Sequence, residues 1–154
     1  MNDQTLNPLS YVGFWIRFLA FILDSIVVLV LLYFVALFIP VSVDISTVNL
    51  ANQDELIAML PDLLPRMGLD ALLTALLFLL LWSFIRSSLG KVVFRAYIVN
   101  NMGQKASFGQ LLIRYLGYFV SVAFFGLGFI WIAFDAKKQG WHDKLAGTVV
   151  IYRK

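Results

Sequence analysis

Residues Phe18–Ile39 read FLAFILDSIVVLVLLYFVALFI, and Arg17 stands immediately before them. A run this apolar is long enough to cross a bilayer core, which takes about 20 helical residues. Asp24 inside it, and Arg17 at its edge, are costly in lipid by a few kcal/mol or more and therefore need a partner, water or a proton. At 3.6 residues per turn, seven positions are almost two turns, so both side chains project from one face about 10 Å apart along the axis. The spacing predicts that the two share one polar site.

Composition points the same way. Of 154 residues, 61% are hydrophobic, 16% aromatic and only 14% charged, which fits a small integral membrane protein rather than a soluble domain. The formal charge of +3 could suggest nucleic acid, but the basic residues lie beside apolar segments instead of forming one arm, so no nucleic-acid partner is expected. The chain has no cysteine, which excludes disulfides, thiolate metal sites and thiol nucleophiles. Met1–Ser10 contains Asp3 and no Lys or Arg, and the run after it exceeds an h-region, so the first helix is expected to stay as an anchor.

Two further segments are candidate spans: Leu69–Ile85, which follows Pro65 and Gly68 and precedes Arg86, and Tyr115–Phe134, which carries Gly117, Gly126 and Gly128. The connection from Pro40 to Gly68 holds Asp44, Asp54, Glu55 and Asp62 against Arg66, net −3, and is expected outside. The connection from Arg86 to Arg114 holds Arg86, Lys91, Arg95, Lys105 and Arg114 with no acid, and belongs in the cytoplasm by the positive-inside rule. The tail from Asp135 to Lys154, net +3, also favours the cytoplasm. One full third span would put it outside. A hairpin or re-entrant element with Gly126-Leu127-Gly128 as its turn resolves that conflict; a single tilted span with packing glycines is the alternative.

Local signals add detail. Val92–Val99 (VVFRAYIV), followed by Asn100-Asn101-Met102-Gly103, reads as a strand ending in a turn. Ser107-Phe108-Gly109-Gln110 matches a capping box and starts a helix near Phe108. Thr148–Tyr152 (TVVIY) is a second strand that can pair with the first if both lie on one side of the membrane. Gln53–Leu64 has helical spacing that Pro61 should kink or end, and its acids suit a covering loop better than a lipid-binding helix.

In order along the chain, Gly13-Phe14-Trp15-Ile16-Arg17-Phe18-Leu19-Ala20 running into Asp24, Leu89-Gly90-Lys91, Ser107-Phe108-Gly109-Gln110 through Arg114-Tyr115, and Gly126-Leu127-Gly128 leading to Asp135 and Trp141–Thr148 form several blocks. With them the chain resembles, from Tyr11 to Tyr152, the RDD family of bacterial and archaeal membrane proteins, named for one arginine and two aspartates. The resemblance implies that Arg17 and Asp24 are the family arginine and first aspartate, with Asp143 as the second and Asp135 in reserve. Ser88-Leu89-Gly90-Lys91 departs from the Thr-Pro that related chains often place before Gly-Lys. The family includes cation/proton antiporters, so the resemblance implies transport.

The expected fold is an all-α membrane protein: one domain over residues 10–154, a small helical bundle with spans at about 18–39, 69–85 and 110–134, and a short cytoplasmic β element. It is expected as a multi-pass protein of the bacterial cytoplasmic (inner) membrane with both termini cytoplasmic. Its candidate ion or proton site is Arg17, Asp24, Asp143, Asp135 and His142, serving Na+ or H+. Such a small chain would form a homo-oligomer to enclose a pathway. The alternative is a membrane-anchored adaptor or scaffold binding a partner or anionic lipid, with the Arg/Asp pair purely structural. Gly90-Lys91-Val92 lacks the glycine spacing and Ser/Thr of a P-loop, and a serine elbow and His-Glu-x-x-His are both missing, so neither an enzyme nor a cofactor or metal is expected.

Overall fold

A computed structural model describes residues 10–39 and 52–152. The first nine residues, residues 40–51 of the connection expected outside, and Arg153 and Lys154 of the basic tail lie outside the described residues. Helix α1 spans Phe14–Phe38 and α2 spans Gln53–Ile85; among the described residues two helical stretches are long and apolar enough to cross a membrane, Phe14–Phe38 and Gln53–Val93, or three if the bent pair Phe108–Ala123 and Leu127–Ala133 counts as one span. Short α3 (Leu89–Val93) leads into strand β1 (Ala96–Asn100), followed by α4 (Phe108–Ala123), α5 (Leu127–Ile130), a 3-10 turn (Trp131–Ala133), α6 (Trp141–Ala146) and strand β2 (Thr148–Tyr152).

The chain divides into two compact units. One comprises residues 26–77, the later part of α1 and most of α2. Its apolar side chains, including Leu29, Tyr33, Phe34, Leu37, Leu72 and Leu76, are exposed, as lipid-facing helices require. Asp70, an acid inside the expected second span, pairs one turn back with Arg66 at 2.8 Å, and Arg66 also donates to the Ile39 carbonyl. Pro61 does not end the helix here: α2 runs through both Pro61 and Pro65, so the expected covering loop is, from Gln53 on, part of the helix that becomes the second span. Each proline removes one intrahelical donor, and a 33-residue helix keeps the remaining hydrogen bonds on either side.

The other unit comprises residues 1–25 and 78–154 and carries the candidate site. Strands β1 and β2 pair antiparallel with Ile98 opposite Val150 and Asn100 opposite Thr148. The segment before α1 extends the sheet, since Val12 N–H donates to the Val150 carbonyl and Tyr152 N–H to that of Ser10, both at 2.9 Å. Val12, Trp82, Ala96, Ile98, Ala106, Leu111 and Val150 form the buried core, and Ile16, Phe78, Leu79, Tyr115 and Tyr118 pack against it. Burial of a valine, leucine or isoleucine side chain in such a core contributes roughly 1.5–3 kcal/mol.

Two expected elements shift. The strand does not start at Val92: Val92 and Val93 close α3, whose amide at Gly90 is held by Asp24, and Arg95 with φ 52° turns the chain from helix into strand. In the third apolar segment the break falls at Phe124-Phe125-Gly126, with Gly126 left-handed at φ 77°, and the helices on either side meet at 113°. Gly128 is helical rather than part of a turn. A Cβ there would lie 2.5 Å from Ser121 Oγ, so its lack of a side chain lets α5 fold back against α4. The capping box is present as expected: Ser107 Oγ accepts from Gln110 N–H at 3.3 Å, and Gln110 Oε1 accepts from Ser107 N–H at 3.0 Å.

Candidate functional site

Arg17 and Asp24 lie on one face of α1, but they do not share a site. Two turns of helix carry them to different neighbours. Arg17 reaches Asp143 of α6, donating from Nη1 to Oδ2 at 2.6 Å, and its remaining donors go to the Val12 carbonyl (Nε, 2.9 Å) and the Lys138 carbonyl (Nη2, 2.6 Å). Asp24 instead meets the start of α3. Its Oδ1 accepts from Gly90 N–H at 2.7 Å, its Oδ2 from Ser88 Oγ at 2.5 Å, and Lys91 Nζ stands 3.5 Å from Oδ2 while donating to Ser88 Oγ at 2.9 Å.

The Asp24 site depends on close backbone approach. A Cβ on Gly90 would overlap the Ala20 carbonyl oxygen and lie 3.0 Å from both Asp24 N and Oδ1, so α3 can dock against α1 only with glycine there. The carboxylate supplies the N-terminal amide of α3 with an acceptor, a capping role delivered from another helix. Lys91, buried beside it, gives the pair its balancing charge.

The Asp143 site is denser. Arg114 of α4 forms a second ion pair with Asp143 through Oδ1, and it donates to Thr148 Oγ1 at 3.0 Å. Thr148 Oγ1 in turn stands 3.4 Å from Oδ1, and Gly140 N–H donates to Oδ2 at 3.0 Å. Asp143 is fully buried and Arg114 is 1% exposed. Both oxygens of Asp143 are thereby occupied by donors of this chain. Two guanidinium groups on one carboxylate leave the cluster one positive charge in excess. The Arg114 guanidinium carbon lies 5.6 Å from the Trp82 ring and 5.8 Å from Tyr118, cation–π contacts that share this charge with two aromatic faces, while its Nε has no acceptor among the described residues.

His142 packs between Tyr118 and Phe129, at ring distances of 4.5 and 5.1 Å, with Nδ1 3.3 Å from Ser121 Oγ and Nε2 3.5 Å from Asp143 Oδ2. Desolvation, and after it the charges of Arg114, Arg17 and Lys91, push its pKa well below 6.5, so the ring is neutral at neutral pH. Gly117 makes room for α6, because a Cβ there would sit 2.8 Å from His142 Cα. Asp135 stays apart from this cluster. It pairs with Lys144 at 2.5 Å and accepts from the N–H groups of Lys137 and Gln139 at 3.0 Å each. Burial raises its carboxyl, but those hydrogen bonds prevail and hold its pKa below the ordinary value.

The structure thus brings together Arg17, Asp143 and His142, puts Asp24 in a second site, and gives Asp135 a separate local role. Arg114, Lys91, Ser88 and Thr148 complete the two sites and are absent from the set chosen by sequence. Arg114 could have been found by the rule that flagged Arg17, being a lone cation in the apolar stretch LLIRYLGYFV. Among the described residues, no group of three or more His, Cys, Asp or Glu is placed to hold a metal ion.

Known proteins are similar to this chain in sequence. It is 38% identical to the uncharacterized protein YxaI of Bacillus subtilis, over 92% of this chain and 97% of that one. It is 29% identical to the uncharacterized membrane protein YteJ of the same organism, over 99% of this chain and 88% of the relative. A third similarity, to a proline-rich antigen homolog of Mycobacterium tuberculosis, is 33% identity over 47% of this chain and 33% of the longer protein. No solved structure matches the chain. The RDD family's sequence model matches residues 11–147, covering Arg17, Asp24, Lys91, Arg114 and Asp143, and the chain belongs to the RDD family.

Proposed function

We propose that this protein is a membrane-anchored adaptor or scaffold of the bacterial inner membrane, in which the Arg/Asp pairs are structural and hold a small platform around the β1–β2 sheet at the cytoplasmic face. The observation that carries this reading is the saturation of both buried acids. Asp143 is held by Arg17, Arg114, Gly140 N–H and Thr148, and Asp24 by Gly90 N–H, Ser88 and Lys91. A carboxylate that carries an ion across a membrane exchanges partners during each cycle. At Asp143 an incoming cation would have to displace an arginine that cannot give up its charge, inside a cluster already in positive excess, and at Asp24 it would have to displace the Ser88 and Gly90 donors beside the Lys91 ammonium.

Orientation follows from charge. Residues 86–114 carry five cations and no acid, a balance that favours the inner side. The 113° bend after α4 is then a re-entrant turn that returns β2 to the same side as β1, consistent with their pairing. The partial match to the longer mycobacterial chain supports a module that serves larger proteins. This reading needs no oligomer to enclose a path.

Transport of Na+ or H+ through Arg17, Asp24 and Asp143 is the competing function, and flux distinguishes the two. Pure protein in proteoliposomes, assayed for cation-dependent proton movement across several cations and pH values, is expected to match empty vesicles. Flux above that background that vanishes in a folded, inserted Asp24→Asn variant would establish transport instead.

A further inference from the structure

Helix α3 presents an outward face with no role in either ion-pair site. Gly90 and Lys91 point inward to α1, whereas Leu89, Val92 and Val93, at positions i, i+3 and i+4, share the opposite face and are 42%, 37% and 67% exposed. Arg86 precedes this face and Arg95 follows it. Both are exposed, both adopt positive φ (61° and 52°), and neither side chain has a hydrogen bond or ion pair among the described residues. The apolar run of α2 ends at Ile85, directly before Arg86, so α3 stands where the hydrocarbon gives way to headgroups.

We infer that α3 is an anionic-phospholipid contact: Leu89, Val92 and Val93 enter the acyl boundary while Arg86 and Arg95 bind headgroup phosphates on either side. An apolar patch facing water beside unpaired arginines is unfavourable, and a leaflet of negative lipid satisfies both halves at once. Guanidinium suits phosphate by geometry as well as charge, through paired N–H donors. The absence of any acid between residues 86 and 114 leaves no neighbour in the sequence to compete for these arginines. Asp24 and Lys91 fix the inward face of α3 and thereby aim the outward one. The inference rests on the inward placement of residues 86–114 given above, and its failure leaves the structural assignment of the ion pairs untouched.

The test measures lipid selectivity of the full chain in proteoliposomes with spin-labelled phosphatidylglycerol and spin-labelled phosphatidylcholine. An exposed arginine near a charged leaflet contributes on the order of fivefold in association. Wild type should therefore prefer the anionic lipid several-fold, Arg86→Gln/Arg95→Gln should bring the ratio close to one, and Arg86→Lys/Arg95→Lys should retain most of it. In parallel, a Val93→Cys variant carrying an environment-sensitive fluorophore should report an apolar surrounding. No preference in wild type, an unchanged preference in the glutamine variant, or a water-exposed label at position 93 would each overturn the proposal. If the glutamine variant fails to fold, the same ratio for wild type at 1 M salt serves instead: collapse of the preference supports the contact, and persistence refutes it.

Discussion

Replacing Asp143 by Asn should damage the protein more than replacing Asp24 by Asn, although both acids are buried and both lie in ion pairs. Asp143→Asn removes the acid that pairs with both Arg17 and Arg114, raising the excess of their cluster from one positive charge to two. Arginine cannot shed its proton, so the cost is that of an unpaired buried charge, about 3–5 kcal/mol. Asp24→Asn keeps an oxygen for Gly90 N–H and leaves one cation without its acid, where the loss of Asp143 leaves two. Its cost is about 1–3 kcal/mol, the loss of a charge-assisted hydrogen bond. Thermal unfolding in nonionic detergent, followed by intrinsic fluorescence of the four tryptophans, would rank the variants. The double variant Arg114→Gln/Asp143→Asn returns the cluster to one excess charge and should be less destabilised than its two single losses added, by roughly 0.5–3 kcal/mol. Equal losses for the two aspartates, or strict additivity in the double variant, would refute the charge argument.

Gly90→Ala should be as harmful as losing Asp24, since the added carbon meets the Ala20 backbone rather than a movable side chain; a variant unfolding within 1 °C of wild type would contradict the docking of α3 on α1. His142 makes folding sensitive to acid. Its folded pKa lies well below the unfolded value near 6.5, so the unfolded chain binds the extra proton first, and stability should be flat above about pH 7 and fall as pH drops through 6.5 toward the folded value. His142→Gln should flatten that part of the profile, which pH-dependent unfolding curves of both proteins would show.

What the sequence made legible follows from the range of each interaction. The helices, the capping box at Ser107, the strand Thr148–Tyr152 and the bend near Gly126 are written in short windows, where periodicity, caps and glycine act over a few residues. The pairing of charges is not. Arg17 and Asp24 are close in sequence and on one face, which suggested a shared site, yet a helix face spans two turns and each level meets a different element. Arg17 finds Asp143, 126 residues away, and Asp24 finds Gly90, 66 residues away, separations that no local pattern encodes. Arg114 escaped notice because its charge counts equally well as a positive inner connection, and only the packing of α4 against α6 shows that it is buried.

The two separate sites explain why α1 carries both charges. In lipid, an apolar helix gains little from turning one face rather than another toward its neighbours, because tails and side chains are equally apolar. Most of α1 offers no such preference, and among its described residues only Arg17, Ala20 and Asp24 are buried. Those three lie on one stripe: the arginine engages α6 and α4 through Asp143, the alanine carbonyl meets Gly90, and the aspartate caps α3. A single pair would leave the helix free to pivot about it. Two pairs about 10 Å apart along the axis fix rotation and axial position together, because any rotation or slide that satisfies one breaks the other. The expense of two buried charges thus secures a register that hydrophobic contact in a bilayer does not supply.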